Sequence, residues 1–173
     1  MPLPLQIATM CFLHKSERTL FLDYTITKDH LIHAGKFSPP GGKLEDIDKT
    51  IEEGVRREVL EETNIKTRDL IYRGKVTFLN EKRNINGDPM KKNWEVYIYD
   101  CYEFDDSQAK ALESGKLSWV ENSKVLKLPL HEGDYVIWEK WLAKYKEFNG
   151  EIEHIGEKLE RYTLLSYTLF NKS

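Results

Sequence analysis

The sequence predicts an α/β fold, a mixed β-sheet carrying helices, and three observations lead there. Short strand-like runs rich in β-branched and aromatic residues recur along the chain. They are interleaved with two amphipathic helical segments, not segregated from them. The length, 173 residues, suits one domain spanning 1–173, in which a core forms without disulfides or a structural metal.

Residues 6–13 and 18–23 flank the polar stretch 14–17 and are expected to form a hairpin. Residues 25–37 show no clear period. Ser38-Pro39-Pro40-Gly41-Gly42 is expected to be a shaped loop, because adjoining prolines and glycines do not continue a regular element. Thr50 opens the first helix, and Glu53 three residues later completes a capping box in which each side chain satisfies the other's backbone N–H. Asn64 ends that helix as a left-handed C-cap. Residues 70–80 and 94–104 read as a second hairpin across the turn-rich stretch 84–89. A short strand is expected at 117–120. Residues 134–148 read as the clearest amphipathic helix, with Trp138, Trp141, Leu142, Tyr145 and Phe148 on one face as core. Strands near 151–155 and 161–170 close the chain.

Aromatic residues make up 12% of the chain, which excludes a disordered polymer. No stretch approaches the ~18 consecutive apolar residues of a membrane span. The first residues lack a basic n-region and a small-residue cleavage pattern, so no signal peptide is read and a cytoplasmic protein is expected. Cys11 and Cys101 stand apart in apolar contexts and read as packed, unreactive thiols. The histidines, His14, His30, His33, His131 and His154, form no ligand pattern beyond the His30/His33 pair and read as surface or substrate-loop residues.

The formal net charge of −3 conceals an asymmetry. From Glu45 to Glu62 there are eight acids against three bases, a local −5 that leaves +2 elsewhere. Within this island Glu58, Glu61 and Glu62 fall at i, i+3 and i+4 on one helix face. Like charges so placed repel, so Arg57 or a divalent cation is needed to compensate them. Oxygen donors without His or Cys suit Mg²⁺, with Mn²⁺ as a substitute. Mg²⁺ commonly bridges carboxylates to a substrate phosphate, and Gly41 and Gly42 would let the backbone approach it. Lys43 offers a positive charge to the same phosphate. The plainer reading is a solvated acidic face beside a turn, which leaves its coincidence with the Pro-Pro-Gly-Gly-Lys loop unexplained.

The stretch Gly41-Gly42-Lys43-Leu44-Glu45 followed by Arg57-Glu58-Val59-Leu60-Glu61-Glu62-Thr63-Asn64-Ile65 strongly resembles the Nudix box. It departs in two places. The stretch from Gly42 to Arg57 is one residue longer than usual, so that Asp48 or Lys49 stands at the motif's first glutamate, and Asn64 replaces a glycine. The resemblance implies a Nudix α/β/α sandwich and metal-dependent hydrolysis of a nucleoside diphosphate linked to another group. It implies that Glu58, Glu61 and Glu62 bind Mg²⁺ with a backbone carbonyl, here assigned to Gly42. Arg57 would orient a carboxylate, and a glutamate, here assigned as Glu61, would act as general base.

Gly115-Lys116-Leu117-Ser118-Trp119-Val120, Leu128-Pro129 and Gly133-Asp134 further resemble the branch that hydrolyses oxidised purine nucleoside triphosphates such as 8-oxo-dGTP, in nucleotide-pool sanitisation and DNA repair. That branch implies a purine-reading role for Asp134, whose ordinary alternative is a helix N-cap. Tyr135 stands where a second Asp is often found. Phe37 and Ser38 would line the base pocket, with Ser38 where the branch can carry Asn. Glu113 would be a further catalytic carboxylate, at a spacing to Trp119 one residue longer than usual. The expected partner is a nucleotide substrate, with no stable nucleic-acid partner and no membrane, for a monomer or homodimer. The alternatives are another substrate (ADP-ribose, a dinucleoside polyphosphate, an RNA 5′ end) or a Nudix-like nucleotide sensor without turnover.

Overall fold

The structure, a computed structural model, describes residues 3–25, 33–80, 92–111, 115–156 and 158–171. Along the chain run β1 (Leu5–Lys15), β2 (Arg18–Asp23), β3 (Phe37–Ser38), β4 (Gly41–Lys43), α1 (Ile51–Thr63), β5 (Lys66–Thr67), β6 (Ile71–Asn80), β7 (Asn93–Cys101), β8 (Phe104–Asp105) and β9 (Lys116–Glu121). A 3₁₀ turn (Asn122–Lys127), α2 (Glu132–Tyr135) with a π-helical continuation (Val136–Leu142), β10 (Glu147–Ile155) and β11 (Lys158–Thr168) complete it. The α/β class with a mixed sheet is as expected. The chain divides into two compact units, one comprising Met1–Ala8, Tyr72–Ile98 and Glu132–Ser173, the other Thr9–Ile71 and Tyr99–His131.

In the first unit the strands lie in the order β11, β10, β6, β7. β10 runs parallel to β6 and antiparallel to β11. Trp141, Ile137, Phe148 and Ile152 are each at most 2% exposed and form the core with Val76. Gly74 has φ +136°, and a Cβ there would collide with the Phe148 carbonyl, so the two parallel strands meet across a position only glycine fills without strain. Gly74→Ala is therefore expected to cost about 2–3 kcal/mol, the upper part of the overpacking range, and to lower the urea midpoint accordingly.

The helix expected over 134–148 is a correction. Helical structure begins at Glu132 and ends at Leu142, and Phe148 lies in β10. Two features end it. Arg73, 7% exposed, donates from Nε to the Lys146 carbonyl and from Nη2 to the carbonyls of Leu142 and Tyr145, satisfying groups a helix terminus leaves orphaned. Phe148, Gly150 and Ile152 then alternate inward at strand period, with the Trp141 ring lying on Gly150. The aromatic spacing that mimicked one long helix face is thus shared between a helix and a strand.

In the second unit β1 from Thr9 onward, β2 and β3 lie in that order, with β4 paired to β1 and β9 to β2. The first hairpin is as expected with its second strand starting at Arg18, but the first strand runs on to Lys15, leaving Ser16 at φ 54° in a tighter turn. The diproline segment is a second correction. Phe37–Ser38 and Gly41–Lys43 are short strands, because Cys11 N–H reaches the Pro40 carbonyl at 2.8 Å and Gly41, lacking a Cβ, abuts the Thr9 carbonyl. Residues 26–32 of the stretch 25–37, and the turn 84–89, lie outside the described residues.

Cys11 and Cys101 are free and buried; burial pushes the Cys101 thiol up to about 11 and that of Cys11 well above its ordinary value, so both stay protonated and inert. The surface or substrate-loop reading of the histidines is corrected at His14. His14 is 11% exposed at its side chain and bonds Asp100 and Thr19, each at 2.9 Å. His33 and His131 bond each other, and His154 stacks on Phe78. His30 lies outside the described residues.

Candidate functional site

Helix α1 carries the acidic face. Its inward face buries Val55, Val59 and Thr63 completely, which fixes its rotation. The Thr50 hydroxyl accepts the Glu53 N–H at 3.1 Å, while Glu53 accepts the N–H of Lys49 at 2.7 Å, one residue earlier than the expected reciprocal bond. Asn64 closes the helix at φ 55°, its N–H on the Leu60 carbonyl. Gly54 faces Leu44 and Asp48, whose atoms would lie 2.6 and 3.3 Å from a Cβ, so the preceding loop packs directly against the helix backbone.

Arg57 is the centre of the site. All five guanidinium N–H donors are used. Nε and Nη2 hold the two Asp48 oxygens at 3.0 and 2.7 Å, a bidentate pair. Nη1 donates to Glu58 at 2.9 Å and Glu61 at 3.0 Å, and Nη2 also donates to the Lys43 carbonyl at 2.9 Å. Of the two compensators the sequence allows for the crowded carboxylates, Arg57 thus serves Glu58 and Glu61. Glu62 instead accepts the Gly41 N–H at 2.9 Å. Gly42 lies against Glu58 so closely that any side chain there would strike both carboxylate oxygens. The Gly42 carbonyl accepts a long bond from the Thr9 hydroxyl at 3.4 Å.

The structure therefore brings together Gly42, Lys43, Arg57, Glu58 and Glu61, with Glu62 on the adjoining Gly41. Lys43 is exposed, so its ammonium is open to a ligand. Among the described residues no group of three or more His, Cys, Asp or Glu converges to hold a metal ion. The reason is visible in the bonds: Arg57 lies between Glu58 and Glu61, and Glu62 turns to the backbone. The donor set nevertheless fits a hard divalent cation, being carboxylates and a carbonyl without nitrogen or sulfur, cradled on a glycine backbone.

Phe37 is half-buried on β3, its N–H on the Pro129 carbonyl, and Ser38 is 7% exposed with its hydroxyl on the Pro39 carbonyl. Asp134 belongs to the other unit, where it is 6% exposed within α2 and so is not an N-cap. Glu113 lies outside the described residues.

Asp48 is what the sequence reading left open. Its side chain is 3% exposed, and the structure selects it over Lys49 as the partner of Arg57. Its position two residues before the Thr50 cap was the available signal. The Arg57 hydrogen bonds hold the Asp48 carboxyl below its ordinary range, outweighing desolvation. A lowered folded-state pKa stabilises the fold above the unfolded value near ~3.9, and that contribution is lost as pH falls through the folded value. The stability gap between wild type and Asp48→Asn is accordingly expected to be widest at neutral pH and to narrow below about pH 4, as read from urea midpoints across pH.

A family model for the NUDIX domain matches residues 4–141. A mutator MutT protein from Bacillus halodurans is 26% identical at a TM-score of 0.74, over 92% of this chain and 97% of its own. The MutT protein of Methanosarcina mazei Go1 is 26% identical at a TM-score of 0.62, over 82% of this chain and 95% of its own. The NUDIX domain of Shewanella oneidensis NrtR, solved with ADP ribose, is 16% identical at a TM-score of 0.56, over 81% and 88%, and shares the fold.

Proposed function

The chain belongs to the NUDIX domain family, and from its place there as a MutT-like hydrolase of phosphorus-containing anhydrides we propose that it cleaves a nucleoside triphosphate, 8-oxo-dGTP foremost, to the monophosphate and pyrophosphate. The observation that carries the reading is the Arg57 hub, which ties Asp48, Glu58, Glu61 and the Lys43 carbonyl into one unit beside the diglycine strand. The enzyme acts on free nucleotides in the cytoplasm, as a monomer or homodimer.

Glu58, Glu61, Glu62 and the Gly42 carbonyl would hold Mg²⁺, or Mn²⁺ in its place. When bound, the cation activates water and neutralises charge developing on the phosphate oxygens. Arg57 keeps Glu58 and Glu61 side by side against their mutual repulsion. Lys43 meets the polyphosphate as a point charge. Glu61, 51% exposed at its side chain, would take a proton from an incoming water, with Glu113 as a second carboxylate. Phe37 and Ser38 bound the base.

A panel of 8-oxo-dGTP, dGTP, dATP, ADP-ribose, a dinucleoside polyphosphate and a 5′-triphosphate RNA tests the assignment. The expected result is a kcat/KM at least about tenfold higher for the oxidised purine triphosphate than for any other member. Preference for ADP-ribose or a dinucleoside polyphosphate would move the substrate within the family, and binding without turnover would make the domain a sensor.

A further inference from the structure

The segment preceding the diglycine strand is tethered at several points, and one of these tethers joins two side chains. The chain leaves β2 at Tyr24 and returns through a turn in which Lys36 N–H bonds the His33 carbonyl, Gly35 N–H the Tyr24 carbonyl and Tyr24 N–H the Lys36 carbonyl, at 2.9, 3.0 and 2.9 Å. Phe37 and Ser38 then pair with Asp23 and Leu22. Two further bonds fasten this returning segment to residues 129–131. One is the Phe37 N–H on the Pro129 carbonyl, at 2.9 Å. The other joins side chains: His33 Nδ1 and His131 Nε2 lie 2.9 Å apart with the rings edge-on at 78°. The buried Tyr24 ring stacks on His33 at 5.6 Å and 27°, which holds the imidazole from one face.

We infer that His33 and His131 form a clasp that positions Phe37, making them positioning residues for the base of the nucleotide rather than for the phosphate chemistry. The inference rests on the nucleoside triphosphate reading above and on Phe37 as a wall of the base site. The clasp closes one end of a short ladder and the Phe37–Pro129 bond the other, so the Phe37 backbone is held on both sides. An imidazole pair bonds only while at least one ring keeps a free lone pair. Burial, with Lys36 adding to it, lowers the His33 pKa and keeps that ring neutral, consistent with the geometry. The side-chain bond that closes the clasp is separate from the bonds that tie Arg57 to Glu58 and Glu61, so opening the clasp is expected to leave those bonds in place. A displacement of a substrate-positioning group lowers binding of the part it touches, which appears in KM before kcat.

The test uses His131→Ala and His131→Gln in the full-length chain, with steady-state kinetics on 8-oxo-dGTP and dGTP and a thermal melt on each variant. The expected result is a KM raised about tenfold in His131→Ala, with kcat within about twofold, a reduced preference between the two bases, and partial recovery in His131→Gln, whose amide can still donate to His33. Unchanged KM and base preference in a folded His131→Ala overturns the clasp. A fall in kcat with KM unchanged overturns it equally, since that places the histidines on the phosphate side. If His131→Ala does not fold, His33→Gln carries the same comparison. A wild-type protein that turns over neither triphosphate overturns the substrate reading first and the clasp with it, which separates the two failures.

Discussion

Arg57→Ala is expected to lower pyrophosphate release at least about a hundredfold and to cost about 3–5 kcal/mol of stability, the range for removing one partner of a buried ion pair. Both losses follow from one geometry. Asp48 is 3% exposed and its two oxygens are matched to Nε and Nη2, so without the guanidinium a buried carboxylate is left with only the Glu45 N–H at 2.9 Å. Glu58 and Glu61 at the same time lose the cation that lets them sit a helical turn apart. Arg57→Lys separates fold from function. An ammonium restores the charge and part of the stability, but it cannot donate in a planar fork to Asp48 while reaching both glutamates and the Lys43 carbonyl. The lysine variant is thus expected to be the more stable of the two and still at least about tenfold impaired. Full activity in Arg57→Lys would show that a point charge suffices and that the five-bond arrangement is incidental.

Much of this site was legible because its determinants are local. The Thr50 cap, the left-handed Asn64 and the three carboxylates on one face follow from spacing along a single helix, and α1 runs from Ile51 to Thr63. The histidine contacts were not legible: His14 meets Asp100 and His33 meets His131 only after the strands assemble, at sequence separations of 86 and 98. The end of the aromatic helix is hidden from the sequence for a related reason. Its end is set by Arg73, some seventy residues upstream, whose guanidinium takes the terminal carbonyls. Period-3.6 counting cannot see a cap supplied from so far away. Asp48 lies between these extremes. It is near Arg57 in sequence, but only the packing of its loop on Gly54 shows that it, and not Lys49, turns inward.

Glu61→Gln and Glu62→Gln are expected to do what Arg57→Ala cannot, namely to remove activity while leaving the fold intact. The bonds allow it. Glu62 holds Gly41 through an oxygen that a glutamine carbonyl replaces, so the diglycine strand stays in place. Glu61 is half-exposed and contributes one bond to Arg57, which an amide oxygen can also accept. The stability change in each is expected to stay within about 1 kcal/mol, as for a surface ion pair or a conserved hydrogen bond. What each variant loses is the anionic oxygen. A neutral amide is a poor ligand for a hard divalent cation and cannot take a proton from water, so turnover should fall by about 10²–10³ or more. Magnesium-dependent pyrophosphate release and a thermal melt on the same preparations decide the matter. Near wild-type turnover in both variants would detach the acidic face from the chemistry and leave Arg57 as the organiser of a structural corner. Loss of turnover with an unchanged melting temperature would place the reaction on the carboxylates themselves, because the scaffold that holds them would have been shown to be intact.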